Sequence, residues 1–145
     1  MKKILMVGVP ILALLFTSGC GNTKELSCTM SDNANGMEMS QDVKVTFKKD
    51  TAKKLDMSMK ITLDDELKDY ASEMEKEMKS EYASMEDAKG VTIKTSTKDN
   101  VVSLNVVADL DKMDDEAKEE LDLAGKTETY DELKKSLEDQ GYTCK

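Results

Sequence analysis

The chain has no histidine and no tryptophan, and all 21 of its basic residues are lysine. Without histidine there is no Ser-His-Asp or Cys-His catalytic arrangement and no histidine-ligated metal. Arginine is absent, and 30 carboxylates bring the formal net charge to −9. The basic surface and planar guanidinium forks that serve nucleic-acid binding are therefore missing, and nucleic acid is excluded as a partner. Aromatics are few, two phenylalanines and four tyrosines, so a core must be built from Met, Val, Leu and Ile. The single proline, Pro10, lies in the only long hydrophobic run.

That run is Ile4 to Phe16, preceded by Lys2 and Lys3. It is shorter than the roughly 20 apolar residues needed to span a bilayer, and its basic start marks a secretory signal peptide. Thr17-Ser18-Gly19 then leads into Cys20. Small residues directly before a cysteine resemble the lipobox of bacterial lipoproteins, whose cysteine carries diacylglycerol and becomes the new N-terminus. The resemblance implies cleavage before Cys20 and anchorage by two or three acyl chains of the palmitate kind, since one chain holds only marginally. The expected organisation is a signal peptide at 1–19, a lipidated start and short linker at 20–24, and one domain at 25–145. Loss of Lys2 and Lys3 with the leader takes the formal charge from −9 to −11. On overall charge alone, anionic headgroups should repel such a domain, leaving the lipid to hold it.

Two further cysteines, Cys28 and Cys144, form an even pair in an exported chain, which favours a disulfide. Two free thiols or an intermolecular bridge are the alternatives. An intramolecular bond would close nearly the whole domain, a loop worth about 4–5 kcal/mol in the chain-entropy description.

Alternation of apolar and polar residues marks strands at Glu25–Ser31, along Met37–Phe47 and along Leu55–Leu63. "KKDTAKK" turns the chain between the last two. From Asp64 the period lengthens: Leu67, Tyr70, Ala71, Met74, Met78, Tyr82 and Met85 recur at helical spacing. A second hairpin follows around Lys98-Asp99-Asn100. A short acidic helix spans Met113 to about Leu123, and a better one spans Thr127 to Gly141, with Thr129 and Glu132 spaced as a capping box. The expected fold is α+β, an antiparallel sheet built from hairpins with about three helices packed on one face.

Taken together, the cysteine before the domain, Cys28 in the first strand, the hairpin-helix-hairpin order and the ending "YDELKKSLEDQGYTCK" resemble the YehR-like family of small uncharacterised bacterial lipoproteins. The resemblance implies an α+β fold and an envelope location, and it implies no activity and no cofactor.

Three functions remain open on these residues. One is a non-enzymatic domain on the extracytoplasmic face of the cell membrane, or of the outer membrane in a Gram-negative source. It would be tethered by lipid and bind an envelope protein or a small ligand. A second is a copper or other soft-metal site on Met37, Met39, Met57 and Met59, whose thioethers suit Cu(I) but which also fall in register with the sheet's apolar residues. The third is a carboxylate-based hydrolase of envelope polymers, for which no one pair of acids stands out. The run Asp109 to Glu120 resembles a calcium loop in charge only, because Met113 and Asp114 occupy positions that need an oxygen ligand and a glycine.

Overall fold

The structure is a computed structural model and describes residues 22–120 and 129–145. Three long strands open it: β1 (Thr23–Ala34), β2 (Met37–Lys48) and β3 (Thr51–Leu63). They are joined by two-residue turns, Asn35–Gly36 and Lys49–Asp50, with φ of 54°, 78°, 51° and 59°. Positive φ at both central residues is the hairpin turn that matches strand twist. Gly36 suits it for a second reason: a Cβ there would lie 2.1 Å from an Asp64 carboxylate oxygen.

After β3 come α1 (Ala71–Glu81), a hairpin of β4 (Val91–Lys98) and β5 (Val101–Asp109), then α2 (Asp115–Glu120), α3 (Tyr130–Asp139) and β6 (Thr143–Cys144). All six strands form one antiparallel sheet in the order β4-β5-β3-β2-β1-β6. Register places Leu26, Val45, Leu55 and Ala108 in one cross-strand row and Cys28, Val43, Met57 and Val106 in the next. Period-two alternation in each strand therefore adds up to one apolar side.

The expectation of about three helices packed on one face is corrected. The sheet is antiparallel and the class is α+β, but the helices are not packed on one face. α1 lies against β4 and β5, α3 lies against β1 and β6, and α2 adds Ala117 to the cluster around Val91, Leu104 and Val106. The cause is the width and twist of the sheet. Neighbouring strands rotate by about 20–25°, so across five strand steps the two flanks turn on the order of 100° from each other. Helices on those flanks face different directions and form no common layer.

Each flank has its own core. On the β1–β2 side, Phe47, Leu26 and Cys28 are fully buried beneath Tyr130, Leu133 and Leu137 of α3. The Phe47 and Tyr130 rings meet edge-on with centroids 5.6 Å apart. On the other side Val102, Leu104 and Val106 lie under Met74, Met78 and Tyr82.

The helix read from Asp64 to Met85 is shorter than its periodicity suggested. Asp64 Oδ1 accepts from the backbone N–H groups of Glu66 at 3.0 Å and Leu67 at 3.1 Å, turning the chain before α1 begins. Tyr70, counted in the apolar stripe, is 57% exposed as a result. The capping box forms as read. The Thr129 N–H donates to Glu132 Oε2 at 3.0 Å, and the Glu132 N–H donates to Thr129 Oγ1 at 3.4 Å. Part of the expected helix Met113 to Leu123, and the first residues of Thr127 to Gly141, lie outside the described residues.

Two predictions follow from this packing. Phe47→Ala should lower unfolding stability by about 3–5 kcal/mol, measured by denaturant titration, because it empties the centre of one flank's core. The Thr129 backbone N–H, and then its hydroxyl, hold the Glu132 carboxyl below its ordinary value of 4.5. A lowered carboxylate contributes stability that is present above 4.5 and is lost as pH falls through the folded value. Amide exchange at the start of α3 should therefore speed up in acid beyond the intrinsic rate, and Glu132→Gln should flatten that dependence.

Candidate functional site

The sequence-derived site residues fall into three groups. Cys20, with the signal peptide at 1–19, lies outside the described residues. Of the segment expected as lipidated start and linker at 20–24, Thr23 and Lys24 belong to β1.

Cys28 and Cys144 are brought to disulfide distance, with Sγ–Sγ 1.96 Å across 116 residues of chain. They are direct cross-strand partners of β1 and β6. The bond fastens β6 to the middle of β1, and Ser27 and Lys145 extend the ladder by exchanging backbone hydrogen bonds at 2.8 and 3.3 Å. Gly141, at φ 97°, ends α3 and lets the chain return to the sheet. The Tyr142 hydroxyl then donates to Gln41 Oε1 on β2. Burial pushes the Tyr142 phenol up from its ordinary value. Beside this return lies a depression of about 360 Å³ bordered by Met30, Gln41 and Gly141. The sequence reading missed the Tyr142–Gln41 pair, which needs the β1–β2 register to become visible.

The four methionines share one side of β2 and β3, and each is half-buried. Met57 packs against both flank cores, Met59 against one, and Met37 against Leu63 and Val102. Met39 sits opposite Ile61 and joins none of these clusters.

The acidic run forms a short turn between β5 and α2 rather than a calcium loop. Met113 is buried, Asp109 pairs with Lys112 at 2.6 Å, and Asp114 Oδ1 accepts from the Ala117 N–H at the start of α2. That pairing holds the Asp109 carboxyl below its ordinary value and the Lys112 amine above its own. Among the described residues no three or more Cys, Asp or Glu side chains gather as a metal site. No helix among them is long and apolar enough to cross a membrane.

The geometry can be set beside solved structures. The NMR structure of the E. coli YehR protein superposes with a TM-score of 0.61 at 21% identity, covering 85% of this chain and 92% of that one. The chain has a YehR-like fold. An NMR structure of a protein from Streptococcus pneumoniae TIGR4 superposes with a TM-score of 0.56 at 15% identity, covering 100% of this chain and 96% of that one. At these identities the likeness speaks for the fold alone. No family model matches the chain, and no curated protein matches it.

The disulfide yields a direct prediction. Cys144→Ala should destabilise the domain by up to about 4–5 kcal/mol in denaturant, the loop-closure value for a loop of this length. The loss should appear first as faster amide exchange in β6 and α3, while β3 and β5 stay protected.

Proposed function

We propose that the chain is an exported lipoprotein, cut before Cys20, whose domain acts at the extracytoplasmic face of the membrane by binding an envelope protein or a small ligand rather than by catalysis. The observation that carries this reading is the junction of leader and fold. Cys20 stands two residues before Asn22, whose carbonyl accepts from the Lys49 N–H at the β2–β3 turn, and β1 starts at the next residue. At about 3.3–3.6 Å per residue, that leaves about 7 Å between the acylated cysteine and the domain. A lipid at Cys20 would hold the sheet against the bilayer rather than on a stalk.

A second reading, a soft-metal site, rests on the half-exposed methionine side and on Met39, which no core cluster encloses.

One measurement addresses both readings: the intact mass of the protein extracted gently from its own membranes, with and without reduction and alkylation. The expected result is a chain beginning at acylated Cys20, with two thiols appearing only after reduction. A mass without acyl chains refutes the lipoprotein reading. Bound copper lost on Met57→Leu and Met59→Leu would favour the second.

A further inference from the structure

The charge of this acidic domain is unevenly placed. The Lys49 N–H donates to the Asn22 carbonyl at 3.0 Å, so the chain joins the fold beside the β2–β3 turn. Register fixes what else lies at this end: Thr23 is opposite Lys48, and Lys54 is opposite Asp109. Lys24, Lys48, Lys49, Lys53, Lys54 and Lys112 all fall here, and the acids nearest the β2–β3 turn are paired, while Asp131 beside Tyr130 and Glu116 on α2 lie at its margin. Lys24 pairs with Asp50 at 3.2 Å, Lys53 with Asp111 at 2.8 Å and Lys112 with Asp109 at 2.6 Å. Lys48, Lys49 and Lys54 are exposed and make no ion pair among the described residues. An open depression of about 580 Å³ is lined by Lys48, Lys49, Thr51, Lys53 and Asp111. The acidic start of α2, from Asp114, bounds the lysine zone on the β5 side.

The opposite end of the sheet has the reverse character. Asp32, Glu38, Asp64, Asp65, Asp69 and Asp99 are exposed there, against Lys60, Lys68 and Lys98. The two ends are about 40 Å apart along strands of this length, several Debye lengths at physiological salt. The acids exposed at that far end are therefore screened from whatever the lysine end touches. Lys49 adds a conformational hint. It occupies a φ of 51° in a hairpin turn that favours Asn, Asp or Gly, yet it places a long cationic side chain at the tip.

We infer that the lysine end is a docking surface for the anionic headgroups of the membrane that holds the Cys20 lipid, so that β1, β2 and β3 stand away from the bilayer. The inference rests on the lipoprotein reading above. Its own support is charge complementarity and reach: the tether of about 7 Å is shorter than the Debye length of about 8 Å. Tethering also makes headgroup contact intramolecular, so individually weak attractions act at high effective concentration.

The test uses the full lipidated chain in vesicles of phosphatidylcholine alone or with phosphatidylglycerol, with lysine acetylation rates read by peptide mass spectrometry. A lysine at an anionic surface gains about a fivefold preference for the bound state. Lys48, Lys49 and Lys54 should thus acetylate several-fold more slowly in the anionic vesicles, while Lys60 and Lys98 react equally in both. In the triple variant Lys48→Gln, Lys49→Gln, Lys54→Gln, protection of Lys53 should disappear. These are exposed positions whose change leaves folding intact. Equal rates in the two vesicle types overturn the inference, as does protection that survives in the triple variant. Protection that rises with protein density assigns the lysine end to the acidic end of a second copy and also overturns it. Intact mass on the same samples separates the two readings. Acylated protein with equal rates sinks only the docking surface, whereas protein without acyl chains sinks both.

Discussion

The pairing of β3 with β5 is the contact on which the rest of the domain depends. β1, β2 and β3 form a meander held by short turns, and β4 and β5 form a separate hairpin, with α1 and its flanking turns between them. Alone, each would expose one apolar side to water. The nine-pair ladder from Lys54–Asp109 to Thr62–Val101 joins them, and it aligns Leu55, Met57, Met59 and Ile61 with Ala108, Val106, Leu104 and Val102. This seam also carries the largest loop-closure cost of the sheet ladders that exclude β6, because its partners lie far apart in sequence. The buried valines and leucine of β5 offset that cost, and α1, which follows β3 in the chain, packs over β4 and β5.

How much of this was legible in the sequence depended on the range of the interaction. Local signals read well. The alternation in β3, the hairpin around Lys98-Asp99-Asn100, and Thr129 with Glu132 each name their structure within a few residues. Pairing beyond the hairpins read only where the cysteines marked it: Cys28 and Cys144 pointed from the C-terminus to the first strand, but nothing in the letters says that β3 meets β5. Tyr70 shows the same boundary from another side. Its spacing fits the stripe of a helix, but Asp64 ties the preceding backbone into a turn and leaves the ring in solvent. The expected single helical face failed for a geometric reason, the accumulated twist of a wide sheet, which no single segment encodes.

The candidate site residues divide in the same way. Cys28 and Cys144 are conspicuous as letters because nothing else in the domain contains sulfur that can bridge. "KKDTAKK" was equally visible, four lysines among seven residues of an acidic chain, yet it read only as a turn. Its relation to the start of the domain appears when Thr23 is seen paired with Lys48. Composition spoke of net charge, and the register of two strands turned that net charge into a direction.

One consequence of the first strand concerns force. β1 holds twelve residues in extended conformation from Thr23 to Ala34, at a rise per residue close to the most a polypeptide can reach. A rope already taut does not lengthen when pulled. Tension applied between the start of the domain and the Asn35–Gly36 tip would run through the covalent backbone of β1, and no hydrogen bond or core contact would have to break to bear it. Whatever grips that tip is mechanically coupled to the residue beside the proposed anchor by a tie rod of nearly fixed length.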